Sequence, residues 1–252
     1  MNPIQARLMI GPSTGWLYAK EIYLLRQQEI ILKQAGANSI EICLAGWDSN
    51  DKRMLSLKVD EAFDVQIFTY QSLHLPDVNG QRPEHQLAMA RDAVARCGAI
   101  VALTHPLKVD SDYPTEHYEK MISSGIPLAI ENMDSRKDSG FDLAELERLV
   151  KIVGCRFVLD VQHAYEHDHE MRYAGDLLES LKGELAHLHV SGETSDNIHS
   201  RVCKAANARR IVEFVGRVLS VKNVPLILEG EYATPDELRQ EIEFLTKELC
   251  FC

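Results

Sequence analysis

Long apolar runs are missing from this chain. No stretch approaches the roughly 18 apolar residues that a membrane helix needs, and the opening MNPIQARLMIGP lacks a charged segment followed by an apolar one. Cationic excess is missing as well: 27 Lys and Arg stand against 38 Asp and Glu, a formal net charge of -11 and a pI near 5.4. The surface therefore carries no general field for phosphate backbones or anionic lipid, which argues against nucleic acid and membrane as partners. Paired cysteine motifs are absent too. The six cysteines, Cys43, Cys97, Cys155, Cys203, Cys250 and Cys252, are scattered with no CxxC, which fits neither a zinc ribbon nor a disulfide framework and reads as reduced thiols in a cytoplasmic protein. Finally, GPSTG at 11–15 matches no dinucleotide or P-loop fingerprint, so an open doubly wound sheet is disfavoured.

What is present is a rhythm. Short apolar runs recur about every thirty residues: LMIG at 8–11, SIEICLAG at 39–46, IFTYQSLHLP at 67–76, AIVALTHP at 99–106, IPLAIENM at 126–133, RFVLDVQHA at 156–164, LAHLHVSG at 185–192 and VPLILEGE at 224–231. Most are continuous rather than alternating, as expected of parallel strands buried on both faces. Helical patterns fill the gaps, for example 21–35, 84–97, 142–153 and 205–221. Asp142 and the Thr234-Pro235 step mark helix starts, while Gly36, Gly98, Gly125 and Gly154 fall where left-handed caps belong. Eight strand and helix units without a linker predict one α/β domain spanning 1–252, a (β/α)8 TIM barrel. An oligomer is compatible with this pattern.

The chemistry sits where the apolar runs end. Strand three ends at His74, four at His105, five at Glu131, six at Asp160 with His163 beyond, seven at His189 and eight at Glu229. In a parallel barrel these ends surround one mouth, where the active sites of such barrels lie. The period-two rule puts Glu131 on the face of Ala129, Glu229 on that of Ile227, and His187 on that of His189, so polar groups continue an inward apolar stripe. Burying so many carboxylates and imidazoles unrelieved would cost several kcal/mol per charge, and a bound cation relieves it. Imidazole and carboxylate donors without thiolate suit zinc or manganese, with iron or cobalt as further candidates.

These residues resemble the xylose-isomerase-like barrel superfamily, which includes type IV apurinic endonucleases and many sugar-phosphate isomerases and epimerases. The resemblance spans nearly the whole chain, through HLP at 74–76, THP at 104–106, IEN at 130–132, LDVQHA at 159–164, HLHVSG at 187–192 and LEGE at 228–231. It implies a shared metal site of Glu131, Asp160, His189 and Glu229. The endonuclease branch implies further ligands at His74, His105 and His163, with Asp196 and His199 of SDNIH as a third-metal pair. The spacing of that pair is looser than the family's, and RVCKAANARR replaces the usual glycine-rich continuation. One to three divalent ions are thus expected.

Three functions follow. The first, favoured by the compact chain, is an isomerase or epimerase of a small sugar, sugar phosphate or polyol, in which Glu131 and Glu229 act as base and acid across a metal. The second is a phosphoester hydrolase with two or three metals, favoured by the number of histidines. The third is a non-catalytic ligand-binding barrel. Glu41, Lys108 and Arg201 are substrate-binding candidates, with His187 as a further substrate or metal contact and Arg136 and Lys204 as other phosphate contacts. His167, Asp168 and His169 read as a solvated tract, Glu193 and Glu231 lie near the mouth, and the polar loops at 106–116 and 191–204 are candidate lids.

Overall fold

The computed structural model describes residues 8–44, 46–48, 67–77, 83–106 and 115–250. Eight parallel strands run in the order β1-β8-β7-β6-β5-β4-β3-β2 and curl into a nearly closed barrel. They are β1 (Ile10–Pro12), β2 (Ser39–Cys43), β3 (Tyr70–His74), β4 (Val101–Thr104), β5 (Leu128–Glu131), β6 (Arg156–Asp160), β7 (Leu185–Val190) and β8 (Leu226–Leu228). The helices among the described residues are α1 (Gly15–Tyr18), α2 (Leu25–Gln34), α3 (Pro83–Cys97), α4 (Glu116–Ser123), α5 (Leu143–Val153), α6 (Val161–His167), α7 (Arg172–Leu181), α8 (Ala208–Val221) and α9 (Pro235–Leu249). No helix among the described residues is long and apolar enough to cross a membrane.

Two apolar layers hold this frame. Outward strand residues such as Ile40, Leu73, Leu128, Phe157, Leu188 and Leu226 pack against the helices in one large cluster. Inward residues, among them Tyr70, Val101, Leu103, Ala129, Val158 and Ile227, fill the barrel floor in a smaller one. Because the strand period is two, the next inward position beyond this floor on β5, β6 and β8 is Glu131, Asp160 or Glu229. The apolar floor thus sets the height at which the polar groups begin.

Helix ends follow the local sequence. Asp142 accepts a hydrogen bond from Glu145 N (2.9 Å) at the start of α5, and Thr234 Oγ1 accepts from Glu237 N (3.3 Å) ahead of Pro235 in α9. Gly36, Gly98, Gly125 and Gly154 all adopt positive φ, the conformation that a residue without Cβ enters freely. Two helices start later than the periodicity predicts. The segment expected from 21 begins at Leu25, after Glu21 takes a φ of 59°, with buried Gln28 donating to Ile22 O (3.0 Å). The segment expected from 205 begins at Ala208. Before it, a 3-10 turn over Val202–Lys204 is fastened to α9 by the Glu241 carboxylate, which accepts from Val202 N (2.5 Å) and Cys203 N (3.0 Å).

The seam between β1 and β2 closes by a few bonds. Asn38 N donates to Ile10 O (3.0 Å), Asn38 Nδ2 to Leu8 O (2.9 Å) and Thr14 N to Glu41 O (2.8 Å). At this seam a Cβ on Gly11 would overlap the carbonyl oxygen of Ser39. Gly11→Ala is therefore expected to lower the unfolding free energy by on the order of 3 kcal/mol, read as a fall in the urea midpoint, because backbone atoms cannot yield as a flexible side chain would.

Candidate metal centre and active site

Among the described residues, four groups of side chains bring their ligand atoms within 4.8 Å of one another: at the mouth, Glu131 with Asp160, His189 and Glu229; His74 with His105 and Glu131; and Asp160 with His163 and His199; and, below them, Glu41 with His187 and His189. The first three form a connected floor, since Glu131 and Asp160 each belong to two of them. His189 Nδ1 lies 3.0 Å from Glu131 Oε1 and 3.4 Å from Glu229 Oε1. His74 Nε2 and His105 Nε2 both lie 3.7 Å from Glu131 Oε2. His163 Nδ1 stands 3.5 Å from Asp160 Oδ2.

The surrounding chain orients these rings. His74 Nδ1 donates to Leu75 O (3.0 Å), His105 Nδ1 to Asp77 Oδ1 (2.5 Å) and His163 Nδ1 to Asn132 O (3.0 Å), which leaves each Nε2 for another partner. Asp160 is also the N-cap of α6: its Oδ1 accepts from His163 N (2.7 Å), and Asn132 binds its backbone on both sides. The 191–204 segment is pinned by paired bonds between Gly192 and Ser200, and this brings His199 to Asp160 and His163.

The donor set fits divalent metal on a structural criterion. Glu131 Oε2 and Asp160 Oδ2 are buried and have no hydrogen-bond partner, a costly state for a carboxylate oxygen. Glu131 Oε2 sits where the Nε2 atoms of His74 and His105 converge at 3.7 Å, too far for a hydrogen bond and suited to a shared cation.

Without a cation, protons take its place. Burial works against ionising Glu131, yet the His189, His105 and His163 rings outweigh it and hold the carboxyl below its usual range. Burial pulls His163 down, but Asp160 and Glu131 push it up to about 9. His189 is raised by Glu229, Glu131 and Glu41 against the same desolvation. Glu229, half-buried, is raised well above an ordinary carboxyl by loss of solvent and by Glu131, Asp160 and Glu41, although His189 opposes this. One glutamate thus stays ionised while its neighbour favours the protonated form.

The other sequence candidates scatter. Asp196 is exposed, accepts from Ser195 Oγ (2.9 Å) and joins none of the four groups. His187 and Glu41 lie beneath the floor, fully buried. Arg201 pairs with Glu237 (3.2 Å) and lines a 710 Å³ cavity beside Trp16, Lys20, His74 and Glu229. Arg136 is fixed by Asp134, whose Oδ1 accepts from its N (2.7 Å) and Nε (2.8 Å), and it lines a 540 Å³ cavity with His105, His163 and Lys137. Lys204 is exposed. Lys108, like most of the 106–116 loop, falls outside the described residues. His167 donates to Met133 O (3.1 Å) and stacks on Phe141, His169 stacks on Tyr165, and Asp168 accepts from Arg172, so that tract supports the helices. Glu193 accepts from Gln162 Nε2 (3.3 Å), and Glu231 lines the larger cavity. Sequence reasoning missed Asp77 and Asp134, each three residues beyond a strand-end ligand, His74 or Glu131.

No known family profile matches the chain, and no curated protein does. Solved structures match over nearly full length. The endonuclease IV of Thermus thermophilus is 16% identical, covering 97% of this chain and 100% of its own, with a TM-score of 0.70. A xylose isomerase domain containing protein of Salmonella typhimurium is 13% identical, covering 96% and 97%, at 0.69. A D-tagatose 3-epimerase-like protein is 14% identical, covering 97% and 98%, at 0.64. Likeness at such identity concerns the fold, and the fold that this chain shares with these proteins is the single-domain (β/α)8 barrel.

Proposed function

We propose that this chain is a divalent-metal-dependent hydrolase of small phosphoesters with a multinuclear centre. The observation that carries this reading is the sharing of Glu131 and Asp160 between neighbouring ligand groups. A carboxylate has two oxygens to give to two cations, and adjacent cations suit a phosphoryl group whose attacking and leaving oxygens both need charge stabilisation. Zinc or manganese matches the donor chemistry, with iron or cobalt as alternatives. Ions held here would act as Lewis acids on the phosphoryl oxygens and would lower the pKa of water.

The chain's own part is binding and orientation. His74, His105 and His163 are locked by their Nδ1 acceptors, so the ligand set is arranged before substrate arrives. Arg136, held by buried Asp134, and Lys137 place positive charge at the rim of the cavity, where an incoming phosphate would pass. The net charge of -11 and a sequence without Lys/Arg clusters interleaved with aromatics favour a small substrate over a nucleic-acid duplex.

A second reading has its own observation. Glu131 is held ionised and Glu229 is pushed towards its protonated form, both beside His189 Nδ1, a pairing of base and acid suited to an isomerase or epimerase that takes a proton from a carbon and returns one.

Ions per chain, counted by elemental mass spectrometry on protein purified without chelators, separate the two, together with turnover of phosphomonoesters, phosphodiesters, an abasic duplex and ketoses. Two or three ions with small-phosphoester turnover support the hydrolase. One ion with ketose epimerisation moves the assignment to the second reading, and no bound ion removes both. His74→Ala and His105→Ala are each expected to lose one ion while keeping those at the Asp160 side, because the Nε2 of each ring faces Glu131 Oε2.

A further inference from the structure

Beneath the metal centre lies a buried column that the proposed chemistry does not use. Glu41, on β2, is 0% exposed, as are Ser72, His187 and His189. Its Oε2 accepts from Ser72 Oγ at 2.8 Å and lies 3.4 Å from His187 Nε2 and 3.3 Å from His189 Nε2, while Oε1 lies 3.2 Å from His189 Nε2. The far nitrogen of His187 meets the Tyr70 hydroxyl at 2.7 Å.

The proton positions follow from the donor inventory. A carboxylate can only accept, so Ser72 Oγ and His189 Nε2 donate to Glu41 Oε2, while His187 Nε2 packs beside it at 3.4 Å without a hydrogen bond. The Tyr70 hydroxyl and His187 Nδ1 share a hydrogen bond, which fixes the His187 ring against Glu41. His189 in turn carries its inward proton on Nε2. Its Nδ1 then faces Glu131, Asp160 and Glu229.

We propose that Glu41 is a positioning residue, which fixes the tautomer and ring plane of His189 so that Nδ1 is presented to the ion held by Glu131, Asp160 and Glu229, with Tyr70, Ser72 and His187 keeping Glu41 in place. The inference rests on the metal reading above. Carboxylates that orient a ligand imidazole are worth about 10–100-fold in metal affinity.

Glu41→Gln tests it. Glutamine fills the same space, but its amide offers one accepting and one donating end, and a donating end turned to His189 Nε2 makes that ring flip its tautomer or lose its partner. The expected result is an ion weakened by about 10–100-fold in chelator competition with zinc, with near-native circular dichroism. In zinc-loaded protein the ¹⁵N shifts of His189 should move away from the form with Nε2 protonated and Nδ1 bound. Tyr70→Phe, which removes one oxygen, should give the same changes at smaller size and covers the case in which the glutamine variant does not fold. Wild-type protein that binds no zinc would overturn both this proposal and the metal reading. Wild-type binding with unchanged affinity and unchanged His189 shifts in the variants would overturn this proposal alone.

Discussion

Glu131→Gln is expected to strip the centre of at least one ion, weaken a second, and lower turnover by at least about 10³-fold, which corresponds to about 4 kcal/mol of lost transition-state stabilisation. The reason is geometric. Oε2 faces His74 and His105 while Oε1 faces His189 and His163, so one side chain joins two ligand groups. Glutamine keeps the volume but gives up the charge, and its nitrogen turns towards rings whose free nitrogens need an electrophile. Asp196→Asn is the matched control: its carboxylate is exposed and lies outside every group, and it should leave ion content and turnover unchanged. Elemental analysis and steady-state rates on both variants decide the matter. A Glu131→Gln protein with a full ion complement would contradict the bridging role, whatever its activity.

The reach of sequence reasoning can be judged residue by residue. Strand ends were legible because a parallel barrel buries both faces of its strands, so a polar residue after an apolar run has few places to be except the mouth. That logic brings Glu131, Asp160, His163, His189 and Glu229 to one place, and His74 and His105 beside them. Caps were legible because Asp142, Thr234 and the positive-φ glycines obey local rules. Glu41 was visible only as an inward carboxylate; its partners come from β3 and β7, and their registers are fixed by barrel closure rather than by neighbouring residues. The spacing of SDNIH could not separate its members: the Gly192–Ser200 pairing turns His199 inward and leaves Asp196 outside. Asp77 and Asp134 carry ordinary loop signatures, and only their contacts with His105 and Arg136 reveal what they hold.

Opposite pH dependences of the metal-free and metal-loaded protein are the second large effect expected. In metal-free protein His163 sits at about 9, against an ordinary value of 6.5 in the unfolded chain. A raised folded value means that its contribution is fully present below 6.5 and is lost as pH climbs through 9, on the order of 3 kcal/mol. The raised Glu229 acts in the same direction, since its protonated form in the fold competes with an ionised form in the unfolded chain. His74, His187 and His199 are held low by burial and act oppositely, so their stabilisation is lost only as pH falls from 6.5. Chelated protein should therefore be most stable near pH 6.5 and lose stability towards pH 9.5. Metal binding must displace the protons on His163 and His189, so affinity should rise over the same interval. With free ion at about 1,000 times the Kd, each ion adds about 4 kcal/mol, which for a chain of this size shifts Tm by roughly 8–16 °C. Thermal melts from pH 6 to 9.5, with EDTA and with excess zinc, should diverge as pH rises. Parallel curves would mean that the protons on His163 and His189 do not occupy the place of a cation, and the metal centre would have to be sought elsewhere.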